Sequence, residues 1–336
     1  MSAVAAGRQI VYREALCEAL REELARDERV FLLGEDIADP FGGSYKVTLG
    51  LSTEFGPERV RNTPISEEAI VGAALGAALT GLRPVAEIMY VDFMTLCMDM
   101  VVNQAAQIRY MSGGQVKVPM VIRTQGGAGR SSAAQHAKSL EAWFCHIPGL
   151  KVVMPATAYD AKGLLKAAIR DDNPVIFLEH KMLTLSTRKE AVPDEDYVVP
   201  LGVAEVRREG EHVTAVATSR MVERTLAAAD MLAEEGISVE VVDPRTLVPL
   251  DENAILTSVA KTNRAVVVYE AFERAGFGAE IATLISTKAF DYLDAPVERV
   301  AAANTPVPFS PRLENLVIPT EERIADGIKR VLARSV

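Results

Sequence analysis

The feature that most constrains this chain is an alternation. Apolar runs of strand length recur at 30–33 (VFLL), 84–90 (PVAEIMY), 118–124 (VPMVIRT), 150–154 (LKVVM) and 174–179 (PVIFLE). Strands buried on both faces read this way. Between them lie helical stretches such as 12–28, with Leu16, Leu20 and Leu24 on one side, and 159–170. Strand, helix, strand with short joins predicts a parallel sheet covered by helices, an α/β fold. The rhythm breaks at 185–200 (LSTRKEAVPDEDYVVP), which mixes charge signs, contains two prolines and has no sustained period. A linker is placed there, at 186–200. Strands then resume at 213–217, 238–242, 265–269 and 297–301, with helices between them and a closing helix at 319–334. The expected organisation is two doubly wound domains, 1–185 and 201–336.

One helix stands apart. Residues 63–81 read TPISEEAIVGAALGAALTG. Thr63 is extended because a residue before proline avoids the helical region. Ser66 is the expected N-cap, without a capping box because Ala69 follows three residues on. Ile70, Ala73, Ala74, Ala77 and Ala78 form one apolar face, and Gly72, Gly76 and Gly81 permit close approach to a neighbour. Glu67 and Glu68 sit at the positive end. Both are explained by the helix dipole; alternatively one points into a site, because ligands of α/β sheets bind at the loop-to-helix edge.

Composition excludes several classes. The 336 residues carry a net charge of −10 without a basic run, which argues against a nucleic-acid surface. No apolar stretch is long enough to cross a bilayer, and the first residues lack the apolar core of a secretory signal. Cys17, Cys97 and Cys145 are widely spaced and read as reduced thiols of a reducing compartment, so a cytoplasmic location is expected. A catalytic Cys145–His146 pair is disfavoured because adjacent helical residues point apart. A methionine-rich apolar helix is expected at 93–111 (Met94, Met98, Met100, Met111), suited to a buried or partner-covered surface.

Familiar motifs are missing. There is no G-x-G-x-x-G after a strand, no Walker loop, no H-E-x-x-H and no G-x-S-x-G, and the glycine-rich loop at 39–46 (DPFGGSYK) has the wrong spacing for phosphate. Of four histidines, His146 and His180 read as structural and His212 as a surface residue. His136 differs because a glycine-rich loop at a strand end carries it, a position that favours function.

At this point longer stretches carry a resemblance. LLGEDIADPFGGSYKVT, TPISEEAIVGAALGAALTGLRPVAEIMYVDF, NQAAQIRYMSGGQ, AAQHAKSLEAWFCHIPGLKVVMPAT and DAKGLLKAAIRDDNPVIFLEHKML resemble the β subunit of thiamine-diphosphate-dependent 2-oxo-acid dehydrogenases, the decarboxylating first components of the pyruvate, branched-chain and acetoin complexes. The likeness runs from about residue 8 to the C-terminus. It implies a transketolase-like fold, with a pyrimidine-binding domain followed by a transketolase C-terminal domain. It implies that Glu67 bonds N1′ of the cofactor's aminopyrimidine, favouring the tautomer whose 4′ nitrogen takes the proton from the thiazolium C2. Phe93 matches the aromatic that stacks on the pyrimidine, with Ile65 and Met89 as apolar neighbours. His136 matches the histidine beside the reacting carbon, bonding the substrate carboxylate or acyl oxygen. The chain departs from many members at Ala137-Lys138, where Ser-Gln is usual, and in the variable Arg130-Ser131-Ser132, which bears on the substrate and not on the cofactor. Met120, Ala168, Ile169, Asp171 and Asn173 resemble a potassium-binding loop of some members; the other reading is that Asp-Asp-Asn-Pro simply ends a helix.

The G-D-G motif that holds Mg²⁺ and diphosphate in thiamine enzymes is absent. The resemblance implies that an α subunit supplies it within an α₂β₂ heterotetramer, and that a lipoyl acyltransferase is the second partner. Pyruvate is the expected substrate, with acetoin cleavage next and branched-chain acids further off. A non-catalytic assembly subunit is disfavoured by Glu67, Phe93 and His136. A self-contained transketolase-like enzyme is disfavoured by the missing G-D-G.

Overall fold

The computed structural model describes residues 7–334, which divide into two compact units. The first comprises residues up to Gly126 and Trp143–Leu201; the second comprises Gly127–Ala142 and Gly202 onward. The loop after the 118–124 strand therefore groups with the C-terminal unit, although it lies inside the first sequence domain.

In chain order the first unit holds β1 (Arg8–Val11), α1 (Tyr12–Arg26), β2 (Val30–Gly34), α2 (Leu51–Phe55), β3 (Val60–Asn62), α3 (Glu67–Leu79), β4 (Arg83–Ile88), α4 (Ile108–Met111) and β5 (Val121–Gly126). After α5 (Glu141–Cys145), which begins in the other unit, come β6 (Lys151–Val153), α6 (Ala158–Arg170), β7 (Val175–His180), α7 (Lys181–Thr184) and β8 (Lys189–Val192). The strands pair in the order β6-β7-β5-β4-β2-β3, all parallel. Leu16, Leu20 and Leu24 of α1 are buried with Val30, Leu32, Val85, Val121 and Phe177 of the sheet and Leu164 and Leu165 of α6. Each such leucine contributes roughly 1.5–3 kcal/mol of transfer free energy.

Three local expectations change. The 186–200 stretch is not free chain, because β8 pairs antiparallel with β1, Val11 opposite Lys189. Its charges kept the strand from registering as an apolar run. The 93–111 region is not one α-helix. It winds as 3₁₀ over Val91–Cys97 and as π over Met100–Ala105 before α4. Asp99, Asn103 and Gln107 recur every fourth residue, a spacing that reads as α-helix and does not separate it from a wider winding. On α3 the buried residues are Glu67, Ile70, Val71, Ala74, Leu75 and Ala78. Ala73 and Ala77 instead line an open groove with Phe31, Arg61 and Leu82. Val71 and Leu75 bury more apolar area than the two alanines and take the inner positions.

The second unit contains β9 (Glu205–Arg208), β10 (Val213–Ala217), α8 (Arg220–Ala233), β11 (Val239–Asp243), β12 (Thr246–Val248), α9 (Glu252–Thr262), β13 (Ala265–Phe272), α10 (Phe277–Lys288), β14 (Glu298–Ala302), α11 (Pro311–Val317) and α12 (Glu321–Leu332). Its sheet runs β14-β13-β10-β11-β9, parallel except for the edge strand β9. Val216, Val242 and Val267 pack with Ile255, Val259, Ile281 and Ile285 of the covering helices. Both units are thus α/β, as the alternation requires.

Candidate active site

The parallel strands of the first unit deliver their C-terminal ends to one edge, where ligands of such sheets bind. Three chain segments leave that edge with polar or aromatic cargo. After β2 comes Glu35, half-buried, followed by Asp36 at φ 53°. After β3, Thr63 N–H donates to the Gly34 carbonyl at 3.0 Å, which lays Thr63–Pro64 alongside β2 before the chain turns into α3. After β4 come Met89, Tyr90 and the 3₁₀ segment carrying Phe93.

Glu67 opens α3 and is 6% exposed, whereas Glu68 beside it faces solvent. Among the described residues the Glu67 carboxylate has no hydrogen bond and no ion pair. Its oxygens are not among the fully buried, unsatisfied side-chain atoms, so they keep contact with solvent and stay open to an incoming donor. Ser66 occupies the N-cap position at φ −163° and ψ 85° but makes no side-chain capping bond, so its hydroxyl does not close the helix end as expected. The negative charge of Glu67 reaches two neighbours. Burial, followed by the charge on Glu67, raises the Glu35 carboxyl above the usual range. The buried Cys97 thiol is pushed up to about 12, by burial first and then by Glu67. The Cys97 thiol is therefore held protonated, with its Sγ near the carbonyl and sulfur of Met94.

The apolar candidates lie on the segments before α3 and after β4. Phe93 is half-buried and stands edge-on to Tyr90, ring centroids 5.7 Å apart. Tyr90 meets Tyr45 edge-on and lies beneath the Lys181 ammonium, 5.6 Å from the ring centroid. Met89 is half-buried, and Ile65 is 82% exposed, a large apolar side chain projecting from the loop. At Gly72 a Cβ would lie 3.5 Å from the Met100 sulfur, an ordinary contact, so the approach of α3 to the π segment does not require glycine there. Gly76 faces open space and Gly81, at φ 98°, ends the helix turn.

Behind the edge lies a charge ladder that sequence reading missed. Glu87 on β4 pairs in register with Arg123 on β5, and Gln125 with Glu179 on β7. Arg123 is 2% exposed and donates from Nη1 to Glu87 Oε2 at 2.9 Å and from Nε to Glu179 Oε1 at 2.7 Å. Burial raises the Glu179 carboxyl to about 7 even with the guanidinium beside it. Glu87, Arg123 and Glu179 lie on three different strands, each more than 30 positions from the next, so no local pattern links them.

His136 is half-buried and lies in the loop 127–138 of the second unit. His180 is buried and its Nδ1 accepts from Met182 N–H at 3.1 Å, while His212 Nδ1 accepts from Ser238 N–H at 2.9 Å; both do structural work. His146 is exposed just past α5.

The potassium-loop candidates gather where α6 ends. The Ile169 and Asp171 carbonyls accept from Arg83, at 2.8 and 2.5 Å. The Ala168 carbonyl accepts from Asp171 N–H and that of Met120 from Val175 N–H. The Asp171 carboxylate is bonded by Lys151 and Asn173, and Asn173 Oδ1 accepts from Arg109. Each carbonyl keeps a second lone pair, the kind of ligand a large monovalent cation accepts. Among the described residues no group of three or more His, Cys, Asp or Glu side chains could hold a metal ion, and no helix is long and apolar enough to cross a membrane.

Two parallel-sheet units with an acidic, aromatic-lined strand edge define a transketolase-type chain. Residues 8–186 match the transketolase pyrimidine-binding domain and residues 202–324 the transketolase C-terminal domain. A solved structure titled split gene transketolase, inactive beta4 tetramer, shares the fold at a TM-score of 0.78 and 24% identity, over 97% of this chain and 100% of that one. Among curated proteins, acetoin:2,6-dichlorophenolindophenol oxidoreductase subunit beta of Bacillus subtilis is 49% identical, over 94% of this chain and 95% of its own length. Pyruvate dehydrogenase E1 component subunit beta of Rickettsia felis is 48% identical over 98% of this chain and its entire length. A mitochondrial counterpart from Oryza sativa is 46% identical over 99% of this chain and 89% of its own length. The chain belongs to the family of β subunits of the 2-oxo-acid and acetoin dehydrogenases.

Proposed function

We propose that this chain is the β half of a thiamine-diphosphate-dependent 2-oxo-acid dehydrogenase, an oxidoreductase active only with its α subunit in an α₂β₂ heterotetramer. Its substrate is pyruvate, and the acyl group passes to a lipoyl group on an acyltransferase component. Acetoin is the second reading, favoured by one observation: a relative of that name is as similar as the pyruvate relatives. Residues 1–185 serve as the pyrimidine-binding domain, 186–200 as the connection and 201–336 as the transketolase C-terminal domain. The chain works in the cytoplasm, a reading supported by its few, scattered cysteines.

The observation that carries the reading is Glu67, a mostly buried carboxylate that has no hydrogen-bond partner among the described residues and opens a helix at the ligand-binding edge of the sheet. That fits an aminopyrimidine, which would bring a donor to the open carboxylate. Thiamine diphosphate, held at its pyrimidine by Glu67 and Phe93, would supply a nucleophilic carbon and a cationic ring that serves as an electron sink. Glu67 holds and returns the proton at N1′. Phe93 offers the ring a stacking surface, and Met89 and Ile65 exclude water around it. His136 donates to the substrate carboxylate or acyl oxygen, stabilising charge that develops there.

Mg²⁺ and the diphosphate belong to the α subunit in this reading. Mg²⁺ needs several hard oxygen ligands in near-octahedral array, and this chain has no G-D-G segment. A monovalent cation on the Met120, Ala168, Ile169, Asp171 and Asn173 segment is part of the same proposal. Calorimetry tests the shared site. The β chain by itself should bind thiamine diphosphate with Mg²⁺ poorly and show no decarboxylation, and adding the α subunit should restore both. Tight binding and turnover by the lone β chain would overturn the division of labour and favour a self-contained enzyme.

A further inference from the structure

Loop 127–138 is closed on itself and then gripped from within its own unit. Gly127 N–H donates to the Lys138 carbonyl at 2.9 Å, tying the ends together. Inside, Ala128 N–H donates to Glu270 Oε1 at 2.5 Å, Gly129 N–H to Glu314 Oε1 at 2.7 Å and Ser131 N–H to Glu314 Oε2 at 2.9 Å. Glu270 comes from β13 and Glu314 from α11; they are 9% and 2% exposed. Arg220 of α8 takes the Ala128 carbonyl at 3.4 Å, so both backbone groups of that residue are held. Ala128 and Ala137 are buried with Val307 and Ile318.

The arrangement exceeds what a surface loop needs for order. A buried carboxylate is costly unless its oxygens are satisfied, and Glu314 directs both of its oxygens to backbone amides of this loop. Those bonds to Gly129 and Ser131 bracket Arg130 and hold Ser131 at φ 55°, with Ala133 at φ 59° just beyond. L residues adopt that region at a cost, and it persists where the surroundings enforce it. His136 follows within the same closed loop, next to the buried Ala137. The held backbone of 128–131 and His136 thus belong to one closed loop.

We propose that Glu314, assisted by Glu270, is the positioning residue of the His136 loop, fixing 127–138 in the one conformation from which His136 meets the substrate. The functional half of this statement rests on the reading of His136 given above. The test is amide hydrogen exchange on the assembled holoenzyme, combined with lipoyl acylation rates. Glu314→Gln leaves one acceptor oxygen and turns an amide NH₂ toward the other N–H. Exchange in peptides spanning 127–138 should rise on the order of tenfold or more, while peptides spanning 63–81 stay at the wild-type rate. Acylation should fall, and the Glu314→Gln, His136→Ala double variant should be no slower than His136→Ala, the non-additivity expected of residues acting as a unit. Glu314→Asp, which keeps the charge but withdraws it by one methylene, serves as the second variant should the Gln form fail to assemble; its loop exchange should also rise. Wild-type loop exchange in an assembled variant overturns the proposal. So does faster loop exchange with undiminished acylation. A fully active His136→Ala enzyme would instead refute the reading of His136, while loop exchange reports on the clamp independently.

Discussion

Arg123→Met puts the charge ladder of the first unit to the test. The guanidinium is 2% exposed and is shared by two carboxylates, Glu87 at 2.9 Å and Glu179 at 2.7 Å. Methionine fills most of the volume, so packing is largely kept and the loss is electrostatic. Removing one partner of a buried ion pair leaves uncompensated charge and costs roughly 3–5 kcal/mol. For a unit of this size that is a fall in Tm of roughly 6–20 °C. The penalty depends on pH. Glu179 already has its carboxyl raised to about 7, chiefly by burial and further by the charge on Glu87, with Arg123 opposing. Without Arg123 it rises further. A raised folded-state value means stability that is present below the unfolded value and is lost as pH rises through the folded one. At about pH 6 Glu179 keeps its proton and part of the penalty vanishes; at about pH 8.5 the penalty grows. Scanning calorimetry of wild type and variant at both values is the assay. A Tm deficit equal at the two pH values, or larger at the lower one, would refute the reasoning.

Two other outcomes are expected. Glu141, at the start of α5, is 3% exposed and has its carboxyl pushed up to about 7, by burial first and to a lesser degree by the charge on Glu270. The folded chain therefore retains a proton that the unfolded chain releases above about 4.5, and stability declines as pH rises across that window; Glu141→Gln should flatten the decline and be more stable than wild type above pH 7 by up to ~3 kcal/mol, with parallel Tm-against-pH curves as the contrary result. Replacing KCl by choline chloride should lower the Tm of the assembled enzyme by a few degrees if carbonyls at the end of α6 hold a monovalent cation, whereas equal values would remove the ion from the account.

Much of the fold was legible because its signals are local. Strand β10 falls on 213–217 as read from sequence, and α6 and α12 begin within two residues of expectation. The burial of Glu67 with Glu68 outward follows from helical geometry once the start of α3 is known. Features built from distant residues were not legible. Glu87, Arg123 and Glu179 lie far apart in sequence on three strands, and only the sheet register joins them. Glu270 and Glu314 follow the loop they hold by more than a hundred positions, and α11 itself was missed because PRLENLV is too short to show a period. Along 91–111 polar residues four apart, Asp99, Asn103 and Gln107, read as one α-helix, and that spacing hid the change of winding.

The central claim is that Glu67 governs the proton on which the bound cofactor's reactivity depends. Glu67→Gln keeps the size of the side chain and its ability to form a hydrogen bond but cannot carry the proton. The direct measurement is the rate of hydrogen exchange at C2 of thiamine diphosphate bound to the assembled α₂β₂ enzyme, followed by NMR after rapid quench. The rate should fall by roughly 10²–10⁴-fold in the Gln variant, the range typical of losing a positioned acid–base group, with assembly and cofactor binding retained. Exchange at the wild-type rate in that variant would contradict the account.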